Sequence, residues 1–146
     1  MDLSAPSQRQ ELRRSHYAVL CVIAVGGALG ALARFEAALL WPTVPGAFPW
    51  TTLCVNAVGC LVIGVFLVAV TEVWSTRRLL RPFFGTGVLG GFTTFSTYTV
   101  DIERLIHDGR VATALTYLAA TLTAASAAVS AGAWTARRLL AKWSER

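Results

Sequence analysis

The chain alternates between long stretches without charge and short clusters that hold nearly all of it. Residues 17–33, 46–71, 82–100 and 111–136 contain no Asp, Glu, Lys or Arg. A helix crosses a bilayer in about 17–25 apolar residues. All four runs reach that length, 17–33 at the lower limit. The pattern predicts an all-α integral membrane protein with four transmembrane helices. The first runs from Tyr17 to about Leu40, the second to about Thr71, the third from Pro82 to about Ile106, and the fourth to near Trp134. The third is expected to be broken, because Gly85, Gly87, Gly90, Gly91 and a Thr/Ser run interrupt it. Trp41-Pro42 and Pro45-Gly46 predict a loop, with Phe48 and Trp50 at interfacial depth. Asp108-Gly109 predicts a turn. Residues 1–16 then form a polar N-terminal tail, 17–136 the membrane domain and 137–146 a basic C-terminal tail.

Composition agrees with the pattern. Hydrophobic residues make up 55% of the 146 and charged residues 14%, where a soluble domain is nearer a quarter charged. The net charge of +5 would suggest nucleic acid in a soluble chain. Here the basic residues flank the hydrophobic runs and orient the chain instead. Four crossings put both termini on one side. That side carries Arg9, Arg13, Arg14, Arg77, Arg78, Arg81, Arg137, Arg138, Lys142 and Arg146, and the other carries only Arg34, Arg104 and Arg110. The excess of Lys and Arg on cytoplasmic loops places both termini in the cytoplasm, and the expected location is the cytoplasmic (inner) membrane.

Several motifs have two readings. Arg13-Arg14, an apolar stretch and Ala31-Leu32-Ala33 have the layout of a secretory signal peptide. The Gly26-xxx-Gly30 spacing, which suits helix packing in lipid, and the runs that follow favour a span. Cys21, Cys54 and Cys60 are odd in number and lie within the runs. They read as small packing residues rather than as a disulfide framework or a metal site. Gly85-Thr86-Gly87-Val88-Leu89-Gly90 matches GxGxxG, but the dinucleotide reading needs a preceding strand in a βαβ unit, and the sequence supplies neither.

The polar positions inside the runs carry the chemistry. Gly90-Gly91-Phe92-Thr93-Thr94-Phe95-Ser96-Thr97-Tyr98 makes a poor uninterrupted helix. A break at membrane depth is tolerated only where it is buried or lines a cavity. Freed carbonyls there can hold a cation, and hydroxyls or aromatic ring edges can face an anion. The alternative is a kinked packing helix whose hydroxyls bond to their own backbone. Asn56, in mid-run, needs a partner. It either bonds between helices or lines a polar path. Arg34 either snorkels to the interface or attracts an anion.

Three motifs in order resemble the Fluc/CrcB family of small membrane fluoride channels. They are Gly26-Gly27-x-x-Gly30-Ala31-x-x-Arg34-Phe35, then Trp50-Thr51-Thr52-Leu53-x-Val55-Asn56-x-x-Gly59-Cys60-x-x-x-Gly64, then Gly87-x-x-Gly90-Gly91-x-Thr93-Thr94-Phe95-Ser96-Thr97. The resemblance implies an antiparallel dimer of four-helix subunits with two narrow pores. It implies that the Gly90 and Thr93 carbonyls hold a structural sodium ion at the dimer axis. Asn56, Ser96 and Thr97 would be polar groups of the fluoride pore. Phe95 would offer fluoride its ring edge, which carries partial positive charge. Tyr98 stands where the family has a second pore phenylalanine, and Asp101 where a Glu is usual. Tyr117 and Thr121 fit the polar track of the fourth helix, but Ala125 and Val129 replace the hydroxyls usual on its next turns. The partners so implied are fluoride, membrane lipid and a second subunit, either another copy or a second family member.

The expected function is passive export of fluoride, giving fluoride resistance. No nucleotide motif or nucleophile constellation marks an enzyme. Two other classes are a small four-helix drug antiporter and a non-conducting assembly subunit. The antiporter needs an ionisable carboxylate inside a span, and the four runs hold none.

Overall fold

The computed structural model describes residues 6–72 and 79–144. All regular structure among them is helical. Helix α1 is Pro6–Leu40 and α2 is Trp50–Glu72. The next element, called α3 here, is a π-helical stretch Arg81–Leu89 that narrows into an α-helical turn, Gly90–Phe92. Thr93 then turns to extended backbone, with φ −74° and ψ 153°. The chain resumes as α4, Ser96–His107, and ends in α5, Val111–Ser144.

The two outer helices run further than the hydrophobic runs predict. Pro6 occupies the first turn of α1, where its missing N–H costs nothing. The Gln, Glu, Leu and Arg residues after it are strong helix formers without Gly or Pro. The same holds for Ala136-Arg137-Arg138-Leu139-Leu140-Ala141-Lys142, so α5 continues through most of the expected tail. Arg77, Arg78 and Arg146 of the charge argument lie outside the described residues.

Among the described residues three helical stretches are long and apolar enough to cross a membrane: His16–Leu40, Trp50–Glu72 and Val111–Trp143. The run 82–100 falls on α3 and α4, where the expected interruption is found at Thr93–Phe95. Large apolar side chains face outward along the long helices, among them Leu29, Leu32, Leu67 and Leu122. Few apolar side chains are buried in return. One cluster of them comprises Tyr98, Leu105, Ala114 and Tyr117, with Phe48, Leu53 and Ile102 packed against it, and Val55, Val68, Val70, Leu89 and Ala136 are buried elsewhere along the seams.

Glycine sets the packing, as expected where lipid removes the hydrophobic drive between helices. Helix α1 lies along α3, and α2 along α5. A methyl group on Gly30 would sit 2.0 Å from Val88 O, and one on Gly91 2.3 Å from Gly27 O. Across the other seam, a methyl on Gly64 would meet Val129 O at 2.2 Å and one on Gly132 would meet Leu61 O at 2.2 Å. The GxGxxG glycine Gly87 serves the first seam, with its Cβ position 3.0 Å from the Gly26 Cα. At the loop end, Arg110 donates to Gly46 O and ties the α1–α2 loop to the α4–α5 turn. Gly46 and Gly109 both take a left-handed φ of 73° there.

Candidate functional site: the break between α3 and α4

The break is held from α2. Asn56 is buried, and its side-chain amide takes both backbone groups of Thr94. Nδ2 donates to Thr94 O at 3.0 Å, and Oδ1 accepts from the Thr94 amide at 2.8 Å. Thr94 in turn starts α4. Its Oγ1 accepts from the Thr97 amide at 3.1 Å, donates to Thr97 Oγ1 at 3.0 Å and lies 3.3 Å from Ser96 Oγ. This is side-chain capping, with the hydroxyl satisfying an orphan donor of the first turn. Gly59, one α-helical turn after Asn56, leaves room for the break. A methyl there would meet Thr93 Cγ2 at 2.3 Å.

These bonds decide which carbonyls are released. In a continuous helix the Thr94 amide would bond to Gly90 O and the Thr97 amide to Thr93 O. Both amides go to side chains instead. The two carbonyls thus freed are those picked out for sodium in the sequence. Oxygen donors of this kind suit a hard cation, so the chemistry fits. Gly91 O is not free, because Arg34 Nε donates to it at 3.2 Å. Arg34 therefore braces the end of α3. It also lines a crevice of about 100 Å³ with Thr51, Thr52, Thr94 and Thr97.

Aromatic rings continue the site toward α5. Phe95 is 79% exposed on the protomer surface. Its ring centroid lies 5.8 Å from that of Tyr98, which lies 5.3 Å from Tyr117. Phe48 meets Tyr117 edge-on at 5.4 Å. Tyr98 is packed inside the protomer and its hydroxyl donates to Leu118 O at 3.4 Å. Tyr117 Oη and Thr121 Oγ1 are buried without a hydrogen-bond partner. The Thr52 and Thr121 hydroxyls lie near Tyr117, short of bonding geometry.

The structure thus brings Asn56, Ser96 and Thr97 together through Thr94, and joins Phe95, Tyr98 and Tyr117 through their rings. Sequence reasoning did not single out Thr94, the residue that links the two groups. A signal existed: a Thr three residues before Thr97, after two glycines, is a helix-start pattern. It also missed the bond from Thr52 Oγ1 to Asp101 Oδ2 at 2.8 Å, which joins α2 to α4 below the break.

Residues 21–133 match the family model described as CrcB-like protein, Camphor Resistance (CrcB). A protein of Streptomyces coelicolor named Fluoride-specific ion channel FluC 1 is 62% identical over 130 residues, which cover 89% of this chain and 84% of that one. Fluoride-specific ion channel FluC 2 of Streptomyces avermitilis is 61% identical over 118 residues, or 81% and 75% of the two chains. One of the same name from Nocardia farcinica is 55% identical over 120 residues, or 82% and 86%. The family match takes in α2, the whole break and most of α1 and α5, and on it the chain belongs to the CrcB family.

Proposed function

We propose that this protein is a fluoride-selective channel that lets fluoride leave the cell and so gives fluoride resistance. The observation that carries the reading is the identity, up to 62%, to relatives named for that activity. It is supported by a break of the kind a conduction path needs, where non-helical backbone is permitted at membrane depth.

In this reading α3 and α4 together make a fourth, interrupted crossing, and two subunits assemble antiparallel around two pores. Phe95 presents its ring edge to the ion at the exposed surface. Asn56, Ser96 and Thr97 supply polar groups at the break, and Tyr117 and Thr121 continue the track on α5. Tyr98 backs Phe95 with its ring. The unpartnered Tyr117 and Thr121 hydroxyls support this assignment, since a buried donor without a partner is costly and a passing anion would relieve it. Arg34 braces α3 while adding positive charge to the crevice. The Gly90 and Thr93 carbonyls would hold sodium where two subunits meet. That ion, when bound, supplies a fixed positive charge and a cross-link between subunits.

The termini lie in the cytoplasm and the chain in the inner membrane. The partner is a second family member inserted the other way, because ten basic residues against three oppose dual insertion. Fluoride efflux from vesicles, followed with a fluoride electrode, tests the activity. The channel should pass fluoride, alone or with its partner, and largely exclude chloride. Equal fluxes of the two halides would defeat the reading. Flux driven by a proton gradient would favour an antiporter, and no flux with the partner present would favour an assembly subunit.

A further inference from the structure

We infer that the C-terminal end of α5 is a binding site for the headgroup of an anionic phospholipid, with Trp134 at the edge of the hydrocarbon and Arg138 and Lys142 meeting the phosphate. The inference concerns a surface remote from the break and is independent of which ion the chain conducts.

Length comes first. Helix α5 has 34 residues. At about 1.5 Å per residue it is far longer than the roughly 30 Å of bilayer hydrocarbon. Its first residue, Val111, follows the polar Asp108-Gly109-Arg110 turn and so stands in one headgroup layer. Measured from there, Trp134 lies roughly 35 Å along the axis, Arg138 roughly 40 Å and Lys142 roughly 46 Å. The bilayer with its headgroups is about 40–45 Å thick. Trp134 thus reaches the far edge of the hydrocarbon, Arg138 the phosphate layer and Lys142 its outer rim.

The side chains match those depths. Trp134 is 61% exposed, and the Arg138 guanidinium carbon lies 5.1 Å from the centre of its ring. The ring holds the cation outward by a cation–π contact and presents an apolar face to acyl chains. Residues 134, 138 and 142 follow one another at four-residue spacing and form one exposed stripe. Among the described residues neither Arg138 nor Lys142 has an acidic partner. The only described ion pair at this end joins Arg137 to Glu72 at 4.0 Å. Cations near a helix C-terminus also offset its dipole. That role does not require a tryptophan beneath them at hydrocarbon depth. Charge complementarity therefore selects an anionic lipid over a zwitterionic one.

The test uses the intact protein in mild detergent, with phosphatidylglycerol and phosphatidylcholine supplied in equal amounts and retained lipid counted by native mass spectrometry. The parent should keep phosphatidylglycerol preferentially. A basic side chain at the surface contributes roughly fivefold, so R138Q/K142Q should lower the preference about 20–30-fold. W134L should lower it less, and R104Q, at the other end of the molecule, should leave it unchanged. Size-exclusion profiles like the parent's establish that the variants are folded. Equal retention of both lipids by the parent would overturn the inference, as would an R138Q/K142Q variant that keeps its preference. A variant that keeps its lipid but loses its partner subunit would also overturn it, and would assign the stripe to the subunit interface.

Discussion

Asn56 grips Thr94 by both of its backbone groups, donating to the carbonyl at 3.0 Å and accepting from the amide at 2.8 Å. A planar carboxamide meets a peptide group in the way one strand edge meets another, so α2 completes the hydrogen bonding that the broken helix cannot. Asn56→Leu would leave both Thr94 groups buried and unpaired, at about 1–3 kcal/mol each. The expected outcome is a loss of about 2–5 kcal/mol in detergent unfolding and at least a tenfold fall in fluoride flux. Asn56→Asp keeps the acceptor and loses the donor, and should fall between. An Asn56→Leu protein with parental stability would show that the clamp carries no weight.

Phe95 makes the opposite prediction. It is 79% exposed, so Phe95→Ile removes little protomer packing and should leave unfolding unchanged within about 0.5 kcal/mol, as is usual for surface positions. Fluoride flux should nevertheless fall sharply, because an aliphatic side chain has no positive ring edge. Parental flux from a folded Phe95→Ile channel would remove Phe95 from the conduction path.

Thr94→Val tests the start of α4. The hydroxyl that accepts from the Thr97 amide would be lost at a cost of about 0.5–2 kcal/mol, while Thr94→Ser keeps it. Thermal unfolding should rank parent and Ser variant together and the Val variant below. If Ser and Val fall equally, the methyl group of Thr94 matters and its hydroxyl does not.

Two neighbouring glycines should respond in opposite ways. Gly30→Ala drives a methyl to 2.0 Å from Val88 O, which only a shift of α1 from α3 can relieve. It should cost at least 1–3 kcal/mol, as overpacking does. Gly27→Ala meets nothing nearer than Gly87 O at 4.0 Å and should be neutral or stabilising, since Ala is the better helix former. Equal losses in unfolding experiments would mean that propensity, not the seam, governs this motif.

Reporter fusions at the C-terminus check orientation. Ten basic residues against three predict signal from the cytoplasmic reporter alone. Equal signal from both sides, or full fluoride resistance from this chain without a second family member, would exclude an obligatory heteromeric partner.

Much of this was legible in the sequence, for identifiable reasons. The long helices are written in the absence of charge, and the break in two glycines followed by hydroxyl residues, because both features reflect local cost. Thr94 was not legible as the hub. Its neighbours Thr93, Ser96 and Thr97 have the same chemistry, and only the reach of Asn56 across 38 positions distinguishes them. Tyr98 is similar. Its ring type is local information, but its burial against Tyr117 depends on how α4 meets α5. Gly85 and Gly87, expected to help interrupt the third run, do not break it: Arg81–Leu89 stays helical through both, in wide turns that no residue announces.

Those wide turns govern azimuth. A π-turn closes its hydrogen bond one residue later than an α-turn, so it advances the chain by a smaller angle per residue. The direction in which Phe92 leaves α3, and with it the facing of everything downstream, is set by how many residues wind through Arg81–Leu89 at that slower pitch. Deleting a single residue there would not be a local loss. Every later side chain would be rotated relative to the Asn56 amide and to the Gly27 backbone against which Gly91 rests. The rotational phase of this chain is therefore stored upstream of the groups that use it, in a stretch whose last carbonyl, Leu89 O, is also the one that accepts from the Thr93 amide and hydroxyl at the edge of the break.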